Sequence, residues 1–263
     1  MSARHQPFKL SLSLLAAVLF FLFASSCTIV KNYPQGQPFV YRTNINVIGN
    51  FTNQERETLA SRLKGQLDDS MRSRSVSKVA WSVMKNPPVF QTANADKSII
   101  FMRALLKSLG YFTDTISYHS HTDTAKNNQL QVTTTFDVRP GKVVRIDSFA
   151  YNIKQKELQE LLVNNKKEAL IGKGDPFAKQ AISAELDRIV DLYRNNGYMR
   201  FGREELIGLW DTLDVSLLKP TFDPLEQAAI LQKLKERRQN PTANLEIRLK
   251  PGTDSSKLKK YYI

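Results

Sequence analysis

The sequence has 263 residues, 41% of them hydrophobic, and a formal net charge of +13. This apolar content is enough for the core of one large or two ordinary domains, which excludes a disordered stalk. The sequence contains one cysteine, so an intramolecular disulfide is excluded and the core alone must hold the fold together.

The N-terminus predicts a secretory signal peptide, residues 1–26. A short basic stretch precedes the apolar run LSLSLLAAVLFFLFA, which is too short for a membrane span of about 20 residues. Small residues occupy positions 24–26, and Cys27 follows them directly. We therefore predict that Cys27 is the lipid attachment site, carrying palmitate or a related acyl chain, although Ala24 stands where a bacterial lipobox most often has Leu. The alternative is an incidental or buried cysteine, but packing gives such a residue no reason to follow a signal peptide.

The charge of the mature chain stays basic after cleavage. The signal contains two basic and no acidic residues, so the formal charge changes from +13 to +11. Export argues against nucleic acid as the partner, and scattered Lys and Arg favour anionic lipid headgroups or acidic partner surfaces. Solvated faces that only keep the protein soluble explain the charge equally well.

The first part of the mature chain predicts one α+β unit. Residues 27–40, rich in Asn, Gln and Pro, are expected to be the lipidated N-terminus and a tether. The unit proper, residues 41–141, gives the order strand, helix, helix, strand, strand. Thr52 and Glu55 form a capping-box pattern at the first helix, and Gly110 ends the second. The last two strands are TDTISYHSH and LQVTTTFDV, the second with the stronger apolar face.

The same order returns in residues 142–252, which indicates a tandem repeat. Here Asp175 and Pro176 are predicted to be the N-cap and first residue of the long helix, which ends at Gly197. The second copy has 24 more residues before its last strand (54 positions from Gly197 to Pro251, against 30 from Gly110 to Pro140), and these predict an inserted helix, 223–239. Residues 253–263 resemble the start of a third unit.

These motifs together resemble a known family. The stretches NPPVF, FMRALLKSLGYF, RPGKVVRIDS, AISAELDRIVDLYRNNGY and FDPLEQAAILQKLKERRQNPT, behind a lipobox, resemble the polypeptide-transport-associated (POTRA) domains of the translocation-and-assembly-module lipoproteins, in the BamA and TamA superfamily of outer-membrane assembly proteins. Each motif is weak alone, and their order makes the resemblance strong.

The resemblance implies a location and partners. It implies a lipid-anchored outer-membrane protein with periplasmic POTRA domains, client outer-membrane proteins, a possible periplasm-spanning assembly partner, and no cofactor. Family members continue into a membrane β-barrel, and no such strands follow here. Either the chain is a fragment of a longer product or the barrel has been lost, and we favour a fragment because a repeat begun and cut off after one strand cannot bury its face.

Signatures of catalysis are missing from the sequence, so we expect a protein that is not an enzyme. His119, His121 and Asp123 alternate along one strand and offer three side chains that could ligate a metal, but an exposed polar strand is the preferred interpretation. Gly172 to Gly174 resemble an anion-binding nest before a helix, and a loop that needs small residues is the preferred alternative.

The remaining function is binding. We predict that residues 113–120 form an edge strand that accepts an extended partner segment, with Thr115, Ser117 and His119 on the outward face. The following strand is the competing choice, and its apolar face favours a central place. Two further hypotheses stay open: spacers that only set the distance of a barrel from a partner, and a surface-exposed adhesin or solute-binding lipoprotein, which a deep apolar pocket with convergent polar groups would support.

Overall fold

A computed structural model describes residues 30, 33–77, 82–125, 128–212 and 223–261, so Cys27 lies outside the described residues. Within these ranges the chain forms eight strands and five α-helices. Their bounds are β1 (Phe39–Val47), α1 (Asn53–Lys64), β2 (Ser75–Ser77), β3 (Ser82–Met84), α2 (Thr92–Ser108), β4 (Thr115–Ala125), β5 (Gln129–Arg139), β6 (Arg145–Asn152), α3 (Lys156–Asn164), α4 (Lys179–Asn195), β7 (Leu206–Asp211), α5 (Pro224–Gln239) and β8 (Thr242–Leu249).

Two small mixed sheets and one separate strand pair make up the β-structure. The sheets have the strand orders β1-β5-β4 and β6-β8-β7, and β2 pairs with β3. In the second sheet the central strand β8 is parallel to β6 and antiparallel to β7. The last strand of each set therefore occupies the centre. The predicted α+β class and the strand-helix-helix-strand-strand order are confirmed, whereas no sequence pattern predicted the β2-β3 pair.

Contacts group the chain into two compact units. The first contains Met1–Asn46, Leu67–Ile99 and Tyr118–Phe136, and the second contains Val47–Gln66, Ile100–Ser117 and Asp137–Ile263. The repeats predicted from sequence, 41–141 and 142–252, follow the order of elements and not this grouping, and their boundaries stay predictions.

The core of the second compact unit forms where α3 and α4 cover one face of their sheet. Leu158, Leu162, Ile189, Tyr193 and Ile247 are fully buried there. Leucine and isoleucine at helical spacing give α4 its apolar stripe, and complete burial of each such side chain stabilises the fold by about 2 kcal/mol. The Tyr193 hydroxyl donates to the Leu158 carbonyl oxygen at 3.1 Å. Burial raises the pKa of Tyr193, so this donor keeps its proton.

The predicted helix ends are largely confirmed. Thr52 and Glu55 form the capping box at α1, with the Glu55 carboxylate accepting from the Thr52 backbone N–H at 2.9 Å. Asp223 caps α5 by accepting from the Leu225 N–H at 2.9 Å. α5 contains no buried residue among those described, so tertiary packing adds little to its stability. Gly110 and Gly197 have φ values of +90° and +95°, as expected for residues that end helices.

The predicted start of the long helix is wrong. α4 begins at Lys179, and Asp175 is not its N-cap. Pro176 forms a β-bridge with Arg145, the Asp175 carbonyl oxygen accepts from Ile146 N–H at 2.8 Å, and Phe177 N–H donates to the Val144 carbonyl oxygen at 2.8 Å. Pro176 therefore lies in a short segment that pairs with the start of β6. This pairing satisfies the strand's backbone groups and outcompetes the helical turn that Asp-Pro favours.

A matching pairing occurs at β1. Val40 N–H donates to the Pro88 carbonyl oxygen, and Phe90 N–H donates to that of Pro38, both at 2.9 Å. In each repeat the proline-containing segment before the second helix therefore pairs with the start of the first strand, on its outer side. This correspondence supports the repeat, although it places the Pro176 segment differently from the prediction.

A hydrogen bond between the two repeats has a counterpart at Tyr261, the last described residue. Val144 N–H donates to the Gly110 carbonyl oxygen at 2.8 Å, and Tyr261 N–H donates to that of Gly197 at 2.8 Å. Tyr261 is thus bonded to Gly197, which ends the long helix of the second repeat, as Val144 at the start of the second repeat is bonded to Gly110. A third unit beginning here stays a prediction.

Candidate functional site

The predicted binding residues lie on β4, an edge strand of the first sheet. Thr115, Ser117 and His119 are exposed, whereas Ile116 is buried and Tyr118 is half-buried. Side chains alternate across a strand, so the three predicted residues share one face and the apolar residues share the other. The competing strand, β5, occupies the centre between β1 and β4, as its stronger apolar face predicted.

The start of β4 is held by an ion pair. Asp114, whose side chain is 3% exposed, accepts from Arg103 of α2 at 3.0 Å. Gly141, in the turn after β5, has a φ of +77°, and a Cβ there would lie 2.9 Å from the Thr113 backbone oxygen. Only glycine lets this turn approach the chain so closely. The Pro-Gly turn noted in the sequence therefore helps to place the beginning of the edge strand.

The middle of β4 is held by pairs with β5. The rings of Tyr118 and Phe136 lie 5.6 Å apart, and the hydroxyls of Ser120 and Thr134 are 2.9 Å apart. From the first pair to the second, the residue number rises by two on β4 and falls by two on β5, as in an antiparallel hairpin. Burial, followed by the nearby charge of Asp96, raises the pKa of Tyr118. β4 is thus held by β5 along one edge and by packing of its inward face, while its outward face is exposed.

The candidate metal ligands do not converge. The His121 ring nitrogen and an Asp123 carboxylate oxygen are 2.9 Å apart, and both side chains are largely exposed. Among the described residues no group of three His, Cys, Asp or Glu side chains could hold a metal ion. The pair is typical of a polar strand end near water.

The four outer strands of the two sheets differ in how they are covered. Proline-containing segments pair with the starts of β1 and β6, as described above. For β4 and β7, the described residues place no further strand on the outer side. The sequence prediction found β4 and missed β7. The six residues of β7 follow a short 3-10 turn, Arg203–Glu205, so the strand begins later than the helix-Gly-Tyr pattern indicates.

An apolar cavity of about 600 Å³ lies beside β7 in the second compact unit. Phe112, Phe177 and Trp210 form its aromatic wall, with the rings of Phe112 and Trp210 stacked at 5.5 Å. Gly208 lines it too, and a Cβ there would meet Leu245 at an ordinary 3.6 Å. Trp210 is 50% exposed, so the cavity opens to solvent. No sequence motif indicated it, because its residues are far apart in the chain.

A wider cavity of about 1320 Å³ in the same unit has a basic lining. Arg62, Arg139 and Lys142 line it together with the aromatic pair Phe51 and Tyr111, whose rings are 6.5 Å apart. Its charged groups are mainly cationic, with Arg145 as a fourth cation against the one carboxylate of Glu55, which suits an acidic surface.

Two observations bear on a membrane: the length and hydropathy of the helices, and the position of Cys27. None of the helices in the described ranges is long and apolar enough to cross a bilayer. The predicted lipid site, Cys27, lies outside those ranges.

Sequence comparisons give no assignment, and structural comparisons find distant similarities. No protein-family model matches the chain, and no curated protein matches it. The chain is similar to POTRA3-5 of BamA from Haemophilus influenzae, with 17% identity, a TM-score of 0.34, and coverage of 84% of this chain and 70% of that one. It is also similar to POTRA1-2 of Omp85 from Anabaena, with 10% identity, a TM-score of 0.27, and coverage of 81% of this chain and 96% of that one. The similarity to CdiB from Acinetobacter baumannii has 10% identity, a TM-score of 0.31, and coverage of 91% of this chain and 36% of that one, so the chain spans about a third of that protein.

Proposed function

We propose that the chain is a POTRA scaffold of an outer-membrane protein assembly or translocation lipoprotein, anchored through lipid on Cys27 and exposed to the periplasm. It binds extended segments of client or partner polypeptides by strand addition along β4. The observation that supports this most directly is the difference between the edges of the first sheet. A chain segment covers the start of β1, whereas β4 is the outer strand with an exposed face.

Strand addition uses the backbone groups on the outer side of an edge strand. Edge strands that avoid pairing usually have Lys, Pro or a bulge. β4 contains neither Lys nor Pro, and its outward residues Thr115 and Ser117 are short enough to let a second strand approach. The ion pair of Asp114 and the pairs with β5 hold this edge in place before a partner arrives. Such preorganisation lowers the entropy cost of binding.

The sequence resemblance and the charge support the rest of the proposal. Client outer-membrane proteins and a periplasm-spanning assembly partner are the partners that the resemblance implies. The mature charge of +11 favours acidic partner surfaces and anionic lipid. A spacer without client binding would need no open edge, so a test at β4 separates a binding scaffold from a passive one.

Proline at Ser117 tests the edge. Ser117→Pro removes one backbone donor from β4, and we expect it to lower photo-crosslinking from position 115 to co-purifying outer-membrane polypeptides by about tenfold, since strand addition depends on successive backbone bonds. Ser117→Ala is the matched control, because it removes the hydroxyl and keeps the N–H. Crosslinking yield is compared in cells at equal protein levels.

Folding is monitored separately, by far-UV circular dichroism, because proline can also disturb the ladder with β5. His119→Lys gives a second variant that keeps every backbone donor and places a charge on the same exposed face, which disfavours strand pairing. Wild-type crosslinking in both folded variants would show that β4 is not the binding surface.

A second candidate, a solute-binding lipoprotein, is favoured by the cavity beside β7. Its aromatic wall and the exposed cations Lys107 and Lys179 fit an aromatic anion. The probe is 1-anilinonaphthalene-8-sulfonate, whose fluorescence rises in apolar sites. Under this candidate, Gly208→Val abolishes the rise, because the added side chain enters the cavity at ordinary contact distances from Leu245 and Ile182.

Leu209→Val is the matched control for the cavity. Residue 209 neighbours Gly208 on the same strand, and its side chain lies on the opposite face of β7. Equal probe fluorescence for wild type and Gly208→Val, with Leu209→Val unchanged, excludes the cavity as a solute site. Strand addition at β4 predicts that Gly208→Val leaves client crosslinking unchanged.

A further inference from the structure

The chain just after the predicted lipid site is held by a buried glutamine. Val30 N–H donates to Gln129 Oε1 at 3.2 Å, and Gln129 Nε2 donates to the Val30 carbonyl oxygen at 2.6 Å. Gln129 is 5% exposed and is the first residue of β5. Its side-chain amide therefore bonds both backbone groups of Val30 as a peptide group of a neighbouring strand would. We call this pair the N-terminal clamp.

Apolar contacts reinforce the clamp. Val30 is 5% exposed and packs in one cluster with Phe39 and Met84. The rings of Tyr33 and Phe39 are 4.7 Å apart, edge to face. All of these residues belong to the first compact unit. Within the segment predicted to be a tether, Val30 and Tyr33 are therefore packed against that unit and do not serve as a free spacer, whereas residues 34–37 are exposed.

The clamp lies at one end of the first sheet. β4 and β5 form an antiparallel hairpin, so Gln129, at the start of β5, is at the same end as Ala125, the last residue of β4. Thr115 is at the other end. A strand rises about 3.3 Å per residue, so about 30 Å separates the two ends of β4.

The chain length between lipid and clamp is short. Cys27 precedes Val30 by three residues, which span at most about 11 Å when fully extended. A lipid on Cys27 therefore keeps Val30 within this distance of the lipid headgroups. A flexible tether reaching to residue 40 would instead allow the unit to turn freely and to stand well away from the bilayer.

We propose that the N-terminal clamp orients the first sheet on the membrane, with the Gln129 end against the headgroups and the Thr115 end of β4 directed away from them. This inference rests on the proposed lipid anchor. The occupant of this face is the anionic surface of a phospholipid bilayer. The exported segments of the first compact unit, 28–46, 67–99 and 118–136, contain eight Lys or Arg and four Asp residues, which gives a formal charge of +4. This net charge, which belongs to the unit as a whole, attracts the unit to an anionic surface.

The orientation has a consequence for β4. A client strand added there has one end at the bilayer surface and the other about 30 Å farther out. A segment bound in this way is already directed towards the membrane. The clamp thus links the anchor to the end of the hairpin formed by β4 and β5.

Energy transfer to the bilayer tests the orientation. The full acylated chain is reconstituted in vesicles of phosphatidylethanolamine and phosphatidylglycerol that contain a headgroup-labelled acceptor lipid. A donor dye is attached to Thr124→Cys or, separately, to Thr115→Cys, both at exposed positions. Acylation occupies Cys27, so the new thiol is the one that reacts. We expect at least about twofold stronger transfer from position 124 than from 115, because about 30 Å separates the ends of the strand.

Gln129→Leu removes both clamp bonds at nearly constant volume and should make transfer from the two positions equal. Gln131→Leu, the same change two residues farther along β5, should keep the wild-type difference. Gln129→Asn is a milder variant, whose shortened side chain cannot span both bonds, for use if Gln129→Leu fails to fold. Equal transfer from both positions in the wild type, or an unchanged difference in a folded Gln129 variant, would overturn the proposal.

Two measurements separate the clamp from the anchor. Hydrogen exchange on the unacylated chain reports the clamp alone: the Val30 amide should be protected in the wild type and lose at least about tenfold protection in Gln129→Leu, because its acceptor is gone. Metabolic fatty-acid labelling that depends on Cys27, and is lost in Cys27→Ala, reports the anchor. Labelling that is absent refutes the anchor and with it the membrane orientation, whereas labelled protein with equal transfer refutes only the orientation.

Discussion

Gly110→Ala lowers the free energy of unfolding by about 3 kcal/mol, the sum of a backbone cost and a steric cost. Gly110 has a φ of +90°, a conformation that favours glycine, which accounts for about 1 kcal/mol. A Cβ there would also lie 2.9 Å from the Phe177 backbone oxygen and 3.2 Å from a Val143 methyl group. Because one of these neighbours is backbone, relief requires a shift of the chain that costs about 2 kcal/mol more.

Gly174→Ala is the matched control for this prediction. Gly174 has nearly the same φ, +91°, and nothing lies within 4 Å of the Cβ position. We expect a loss of about 1 kcal/mol there, from the backbone term alone. Urea unfolding of both variants, followed by circular dichroism, gives the two free energies. Equal losses of unfolding free energy in the two variants would show that the close approach to Phe177 is not the reason why glycine is needed at position 110.

Glu185→Ala destabilises the second compact unit by about 4 kcal/mol, because it leaves buried donors without their acceptor. The fully buried Glu185 carboxylate accepts from the Tyr151 hydroxyl at 2.5 Å, from Leu170 N–H at 2.8 Å and from Arg188 at 2.7 Å. The Arg188 side chain is 15% exposed, so its charge is poorly solvated once the carboxylate is removed. Burial, followed by the bond to Glu185, raises the pKa of Tyr151, which keeps its hydroxyl protonated as a donor.

The exposed ion pair of Lys156 and Glu160 provides the comparison. Its atoms are 3.9 Å apart and both side chains are mostly in water. Glu160→Ala should cost less than about 0.5 kcal/mol, because exposed pairs at this spacing contribute little. Thermal unfolding of both variants separates the two cases. A small effect of Glu185→Ala would mean that water replaces the lost carboxylate, and the network would then contribute little to the fold.

Local sequence signals predicted the elements well. Capping residues, helix-ending glycines and alternating apolar residues located α1, α2, β4 and β5, because each depends on short-range chemistry visible in a few residues. The repeat was visible for the same reason, since Gly110 and Gly197 end corresponding helices with left-handed conformations. The position of β4 at an edge followed from its weak apolar face.

Long-range pairing explains what the sequence did not reveal. Asp175 and Pro176 have the residue types of a helix start, yet backbone bonds to Val144 and Ile146 decide their conformation. The cavity beside β7 joins residues about 100 positions apart, and the clamp joins Val30 to Gln129 across 99 positions. A composition rich in Asn, Gln and Pro indicated a tether at residues 27–40, but a buried glutamine elsewhere in the chain supplies the bonds that hold Val30.

The most direct test of strand addition is a crosslinking map of the first sheet in cells. A photoreactive residue is placed singly at Thr115, Ser117 and His119 of β4, and at Gln131 and Thr133 of β5. We predict crosslinks to client outer-membrane polypeptides from the β4 positions and none from β5, because β5 is paired on both sides. Equal yields from the two strands, or no crosslinks from β4, would contradict the proposed binding edge.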